Sequence, residues 1–393
     1  WKSIYLQVEW LMNHLETHLL GNHYLENGAA LAFVGSCFEG EVSQRWLDKG
    51  LEILQSEISE QILPDGMHFE LSPMYHSRVL YLMGTLSATG DQALKQIVDE
   101  PMRRMAQAMD ALCHPDGQIA LFNDSAFGIY NEPKQLLEYC SRIGHFNFVK
   151  SEGAFELSAS GFYGWKDLKG KYLVCNFGKI GPDYQPGHAH ADMLSYELSL
   201  NGRRVIVDSG VHDYGSSEWR KYSRSTAAHN TVEVDEQDQC ELWGTFRVAR
   251  RGYPQNVRFR PNEDGFILSG SHSGYQRLPG NPEPSRSIRW DAQTSSLNVR
   301  DQVQAKRAVR VVSRIHLHPE CVIEGHSESL LNINYTAGAF QIEIHGDCRV
   351  VIGEGWYFPE FGKKMRKSVI ELHAEGVFTE IAYEVKSLPV PCR

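Results

Sequence analysis

The 393-residue chain contains no run of about 18 consecutive apolar residues, so no segment of it reads as a membrane-crossing helix. It has no basic excess. Its 39 Lys and Arg against 49 Asp and Glu give a formal net charge of -10, which excludes nucleic acid as the main partner, because phosphate binding needs a basic surface. No two of its 8 cysteines stand at CxxC spacing, which excludes a zinc-ribbon or thioredoxin-type site. Eight cysteines in a chain of this length are also too sparse for a disulfide scaffold. There is no HExxH motif, no internal repeat, no low-complexity linker and no signal-peptide pattern. The chain opens at Trp1 inside a helical pattern, so further residues are expected upstream.

What is present suits a globular chain of two or three domains. Hydrophobic residues make up 42% and charged residues 22%. The 17 Tyr and 8 Trp are platforms for sugar rings and equally good core material.

Residues 1–150 read as helical. Trp1, Ile4, Tyr5, Val8, Leu11, Leu15 and Leu19 fall near a 3.6-residue period, as do Trp46, Leu47, Leu51, Leu54 and Ile58. Leu94, Val98, Met102, Met105 and Met109 mark a third helix, and shorter candidates lie at 27–37, 76–88 and 134–143. Gly-, Pro- and Asp-containing loops at 63–66 and 114–117 separate antiparallel helices. Near 148–158 the period changes to two. Leu194, Tyr196, Leu198 and Leu200 alternate with polar residues, and strands are expected at 203–208, 231–235, 266–270, 284–290, 309–317, 340–351 and 377–385. Residues 151–393 therefore read as an antiparallel β-sandwich, and the fold class as α+β multidomain.

Three clusters carry chemistry. Gly21–Asn27 lies between two helical patterns, which puts Asn22 and His23 at a helix start, where an Asn is often only a cap. Asp65–His76 is a loop dense in titratable groups. Its Ser72-Pro73 is a helix start, and Tyr75 and His76 follow either as site residues or as interhelical packing. The third cluster is Gly187-His188-Ala189-His190-Ala191-Asp192, then Val207–Gly210, then Arg224–Thr231. On a regular strand His188 and His190 share a face. His190, Asp208 and His229 form a His/Asp/His set on neighbouring strands, suited either to Zn²⁺ or to a hydrogen-bonded core.

Together these clusters resemble the heparinase II/III family of polysaccharide lyases, with its alginate- and oligo-alginate-acting members. The match is strongest from Gly187–Asp192 through Arg224–Thr231 to Glu241-Leu242-Trp243-Gly244. The resemblance implies an N-terminal (α/α) toroid, incomplete in this chain, followed by a C-terminal β-sandwich with a cleft between them. It implies that Asn22 and His23 hold the substrate carboxylate, that Glu26 is an acidic site residue, that Tyr75 is the catalytic tyrosine and that His188 faces the cleft. It further implies that His190, Asp208 and His229 bind a structural Zn²⁺ or another divalent metal, and that Tyr214 matches a second tyrosine of alginate-acting members. His76 and Arg224 are further candidate substrate contacts. The expected partner is an acidic polysaccharide or oligosaccharide, and the expected location is periplasmic or secreted.

β-Elimination removes the weakly acidic C5 proton of a uronic acid and expels the C4 oxygen. Donors from Asn22 and His23 would offset the neighbouring carboxylate's charge, and Tyr75 would take part in proton transfer. The negative net charge favours a modestly charged uronan over fully sulfated heparin. Local basic stretches nevertheless occur at Arg220-Lys221 with Arg224, at Arg247 with Arg250-Arg251, and at Lys363-Lys364 with Arg366-Lys367. Two competing readings are a zinc-dependent hydrolase and a non-catalytic glycan-binding protein on the same fold.

Overall fold

The computed structural model describes residues 1–147 and 149–388. The helical region holds α1 (Lys2–Asn13), α2 (Gly21–Ser36), α3 (Glu41–Gln61), α4 (Pro73–Ala88), α5 (Gln92–Ala111) and α6 (Pro133–Ile143). Consecutive helices pack in pairs, α2 on α3 and α4 on α5. Glycine sets the first spacing: a Cβ on Gly50 would lie 2.4 Å from the Ala32 backbone nitrogen, so only glycine lets α2 and α3 approach this closely. The helix starts follow their chemistry. Ser72 caps α4 by accepting from Tyr75 N at 3.2 Å, with Pro73 in the first turn, and Asp91 caps α5 by accepting from Leu94 N at 3.0 Å. Leu94, Val98, Met102, Met105 and Met109 of α5 are fully buried against Val79, Met83 and Leu86 of α4.

Strands β1 (Gly153–Leu157), β2 (Phe162–Lys166), β3 (Tyr172–Asn176), β4 (Ser195–Leu200) and β5 (Arg203–Ile206) form an antiparallel meander. Then come α7 (Glu218–Arg224), a 3₁₀ turn at Thr226–Ala228, β6 (Val232–Val234) and the small pair β7 (Leu242–Trp243) and β8 (Arg247–Val248). The second sheet is built from β9 (Pro254–Asn262), β10 (Gly265–His272), β11 (Glu283–Asp291), β12 (Ser296–His316), β13 (Val322–His326), β14 (Leu330–Tyr335), β15 (Gly338–His345), β16 (Arg349–Tyr357) and β17 (Met365–Ser387). Its order is β13-β14-β15-β17-β12-β11-β10-β9, with β16 added on β17 and β6 on β12. The two sheets share one core, in which Leu173, Tyr196 and Leu198 meet Phe266, Ile288, Trp290, Val299 and Tyr383.

The structure refines three strand expectations. The stretch at 340–351 is two strands, split after His345 by Gly346 at φ 97°. The stretches at 309–317 and 377–385 are parts of two much longer strands, β12 and β17, which pair along their length across a bulge between Gln304 and Val309. The polar face of β4 is not solvated: Ser195, Glu197 and Ser199 are all buried. That face meets the helical region, where His114 Nδ1 lies 2.7 Å from Ser199 Oγ and Leu121 N donates to Glu197 at 2.6 Å. Beside it, Met67, Leu71, Leu112 and Phe122 pack on Phe162, Tyr172 and Val174, each buried side chain contributing about 1.5–3 kcal/mol.

Arg204 of β5 clamps the same junction. It donates to Asp116 at 2.7 Å and to the carbonyls of Gln118 and Ile119. Burial alone would raise the Asp116 carboxyl, but Arg204 outweighs it and holds the group down to about 2. A depressed carboxylate adds stability that is complete above its unfolded value of about 4 and is lost as pH falls through about 2. Removing the guanidinium in Arg204→Met should therefore flatten the acid limb of the unfolding curve over that window by about 1–2 kcal/mol. Urea unfolding at pH 5 and pH 2.5 checks this, and an unchanged pH dependence would contradict it.

Candidate active site

Four connections converge at the junction of the two regions. The first turn of α2 carries Asn22. The loop before α4 carries Glu70, and α4 itself carries Tyr75. The loop after Cys113 carries Asp124, and the turn before β4 carries His188 and His190. Leu71 at φ 58° and Asn123 at φ 56° occupy left-handed backbone beside the two acids, a strain of about 1 kcal/mol or more each. Asn123 offsets it by donating to Leu71 O at 2.9 Å and accepting from His190 N at 3.0 Å, which ties both loops to the histidines.

Tyr75 stacks on His188 with ring centroids 3.8 Å apart and planes at 27°. The Tyr214 hydroxyl donates to the Tyr75 hydroxyl at 3.4 Å, and Phe246 and Phe361 pack edge-on against Tyr214. Burial pushes the Tyr75 phenol well above its ordinary value, so Tyr75 stays neutral. His188 lies between two carboxylates. Its Nδ1 is 2.8 Å from Asp124 Oδ2 and its Nε2 is 3.4 Å from Glu70 Oε2. Glu70 is buried and accepts from both the backbone N and the Nδ2 of Asn22, each at 3.2 Å. Burial raises its carboxyl against the opposing pull of His188 and Asn22.

Asp124 is the hub. It is fully buried and takes His188 on one oxygen, His190 Nε2 on the other at 2.9 Å, and the Arg220 guanidinium across both. Burial would raise its carboxyl, but Arg220 and the two histidines hold it well below the usual range. Arg220 also lies under the rings of Tyr214 and Phe246, at 5.0 and 5.2 Å.

Behind the hub sits a second cluster. Ligand atoms of Asp192, Asp208 and His229 lie within 4.8 Å of one another, and the His190 and His229 ring centroids are 5.3 Å apart. His229 Nδ1 is 2.7 Å from Asp208 Oδ2. His190 Nδ1, Asp192 Oδ1 and His229 Nε2 are buried with no hydrogen-bond partner among the described residues. Burial holds His190 down to about 4, so it is neutral, and its Nε2–H to Asp124 leaves the Nδ1 lone pair free. Burial likewise pushes Asp192 up to about 7. The group close enough to share one ion is Asp192, Asp208 and His229. Asp192 thus enters where His190 was expected, and His190 stands beside the group with its Nδ1 free. Two carboxylates and an imidazole fit a divalent cation of the zinc type.

The "Heparinase II/III-like, C-terminal" family matches residues 149–386, and the "Heparinase II/III N-terminus" family matches residues 2–142. The chain belongs to the heparinase II/III family. It is similar to a heparin-sulfate lyase of Pedobacter heparinus, 28% identical over 263 residues, covering 60% of this chain and 39% of that protein. A heparin-sulfate lyase of Bacteroides stercoris is 26% identical over 306 residues, covering 67% of this chain and 46% of that protein. The chain thus spans less than half the length of these curated relatives. Among solved structures, a heparinase III superposes with a TM-score of 0.82 at 18% identity over 98% of this chain and 62% of that one. A heparan sulfate lyase from Pedobacter heparinus gives 0.78 at 20% identity over 99% and 63%. These likenesses show the fold, a helical region followed by an antiparallel sheet-rich domain.

Within this heparinase II/III chain, Asn22, Tyr75, His188 and Tyr214 come together. Asn22 does not cap α2, whose N-cap is Leu20 with no side-chain cap bond. His23 is half-exposed, its imidazole 3.4 Å from Glu16, and it adds to the pull that opposes burial at Glu70. Glu26 is engaged by Arg78, which also donates to Tyr130. Two candidate substrate contacts are corrected. His76 is fully buried, held down to about 4 by burial, with Nε2 2.9 Å from Met105 O. It follows Tyr75 by about 100° around α4 and so faces α5 instead of the cleft. Arg224 is buried and donates to Ala189 O, Gly244 O and Arg247 O, holding the histidine turn from behind. His188 and His190 do meet one group, as the expected shared face required, but from a turn instead of a strand. The metal-type residues likewise lie on loops beside the strands. Sequence reasoning assigned no role to Glu70, Asp124, Arg220 or Asp192. Glu70 and Asp192 lay inside the quoted clusters; Asp124 carried only the weak signal of a polar Asn123-Asp124-Ser125 run after an apolar stretch.

Proposed function

We propose that this protein is a polysaccharide lyase that cleaves uronic-acid-containing glycans by β-elimination and leaves a 4,5-unsaturated uronosyl end. The observation that carries this is Tyr75 stacked on His188 beside the Asn22 amide, where helical and sheet regions meet. Asn22 Nδ2 has two N–H groups. One goes to Glu70, and the other remains for the substrate carboxylate, whose charge must be offset for C5 to lose its proton. Asp124 holds the Nδ1 edge of His188 at 2.8 Å, which leaves the Nε2 edge, 3.4 Å from Glu70, as the group to take that proton. A neutral Tyr75 phenol suits the complementary task of protonating the departing O4.

The relatives' names point to heparan-sulfate-like chains, and the net charge of -10 favours a lightly sulfated or bacterial uronan within that class. A periplasmic or secreted location is proposed from the family resemblance, as is completion of the helical region into an (α/α) toroid. An absorbance screen on heparan sulfate, unsulfated glucuronate chains, hyaluronan, chondroitin and alginate tests the reading. A rising unsaturated-uronate band supports it. Cleavage without that band supports hydrolysis, and saturable binding without cleavage supports the glycan-binding alternative.

We further propose that His190, Asp208 and His229, joined by Asp192, hold Zn²⁺ in a structural role. Bound there, the ion supplies a cross-link between three loops. The cluster is buried, and His190 beside it reaches Asp124 through Nε2. Stripping the metal with a chelator should lower the melting temperature by several degrees, with recovery on Zn²⁺ return, while turnover measured well below the new melting point persists. Abolished turnover at unchanged melting temperature would instead favour a zinc hydrolase.

A further inference from the structure

The loop between β16 and β17 leads from the candidate site to a cationic cluster for which the proposed chemistry has no use. Phe361 packs on Tyr214 with centroids 5.0 Å apart, and Gly362 N donates to His212 O at 2.9 Å. Beyond it, the Trp219 and Trp356 rings meet edge to face at 5.0 Å, with His212 6.0 Å from Trp219. Lys364 Nζ sits 4.1 Å from the Trp219 centroid and 5.4 Å from that of Trp356, while the Arg366 guanidinium lies 4.0 Å from Trp356.

The charges here are not equivalent. Lys363 pairs with Glu360 at 2.8 Å and Arg366 with Glu354 at 3.0 Å. The nearby Asp213 is taken by His212 and Ser217. Among the described residues, Lys364 has no carboxylate within ion-pair distance. An aromatic face restrains an ammonium without cancelling its charge, unlike a carboxylate. Lys364 is therefore an exposed, pre-positioned and uncompensated cation three residues along the chain from Phe361, which packs on Tyr214. A chain of net charge -10 gains nothing in solubility from such a placement.

We propose that Lys364, steadied by Trp219 and Trp356 and flanked by Arg366, is an anion subsite for an acidic group on a sugar neighbouring the one held at Tyr75. The ligand is a carboxylate or sulfate of the glycan. This rests on the lyase reading for its substrate class. The cluster is built from the segment 354–366 and α7, so the subsite belongs to the sheet domain and acts on affinity instead of on proton transfer.

The test uses the full protein carrying Tyr75→Phe, so that binding is read without turnover. Calorimetric affinities for N-sulfated heparan and for an unsulfated glucuronate chain are compared with and without Lys364→Ala. A single charge-assisted contact predicts roughly tenfold weaker binding in the alanine variant, with Lys364→Arg recovering most of it. Loss on the sulfated chain alone assigns a sulfate, and equal loss on both assigns a carboxylate. Unchanged affinity for both chains overturns the subsite. In the Tyr75-intact protein, Lys364→Ala should raise KM and spare kcat. A missing unsaturated-uronate band with the affinity loss intact would sink the lyase reading while leaving the subsite.

Discussion

Replacing Tyr75 with Phe is expected to lower turnover about a thousandfold while the protein keeps its fold. The phenyl ring preserves the stack on His188 and the burial of the α4 start. Only the hydroxyl is lost, and its sole hydrogen bond among the described residues is the long 3.4 Å contact from Tyr214. The melting temperature should therefore move by no more than a degree or two. The same logic separates Tyr75 from Tyr214: Tyr214→Phe loses a donor to Tyr75 and should cost far less. Initial rates of unsaturated-uronate formation, run beside thermal melts, decide the point. A Tyr75→Phe enzyme within a few-fold of the wild-type rate would remove Tyr75 from the chemistry.

Asp124 should be the most damaging single position in the structure. Its two oxygens serve His188, His190 and both terminal nitrogens of Arg220, all buried or nearly so. Asp124→Asn keeps the volume but presents an N–H group to at least one of these donors and leaves the Arg220 charge uncompensated. Breaking a buried pair in this way costs about 3–5 kcal/mol. The variant should lose stability, turnover and metal retention together, because one carboxylate orients the cleft histidine on one oxygen and the metal-type histidine on the other. Urea midpoints, rates and bound-metal content measured on one preparation check this. Loss of turnover alone, with stability and metal intact, would show that the two histidines are not coupled through Asp124.

How far the sequence could lead is visible in these residues. The order of helices then strands was legible because hydrophobic period is a local property: the Leu94–Met109 stripe and the Leu194–Leu200 alternation each follow from burial of one face. The start of α4 was legible because Ser72-Pro73 is a local capping signal. The second face of β4 was not, since nothing in an alternating strand says whether its polar side meets water or another layer of protein. Asp124 and Glu70 were hidden for a related reason. A single acid in a loop looks solvated until the fold brings histidines from more than forty residues away onto it, as the separations in sequence of 64 and 66 residues from Asp124 to His188 and His190 show. His76 and Arg224 were misjudged because proximity in sequence to a site residue says little about which way the neighbouring side chain turns. Tyr75 and His76 are adjacent in the chain yet serve different surfaces of one helix.

Running the cleavage in heavy-oxygen water and weighing the products decides between elimination and hydrolysis. Elimination breaks the C4–O bond without adding solvent oxygen to the chain. Elimination should therefore give one unsaturated product, one water lighter than its hydrolytic counterpart, and no heavy oxygen in either fragment beyond slow exchange at the reducing end. Fragments of full hydrolytic mass, with heavy oxygen entering each new reducing end as fast as cleavage proceeds, would contradict it.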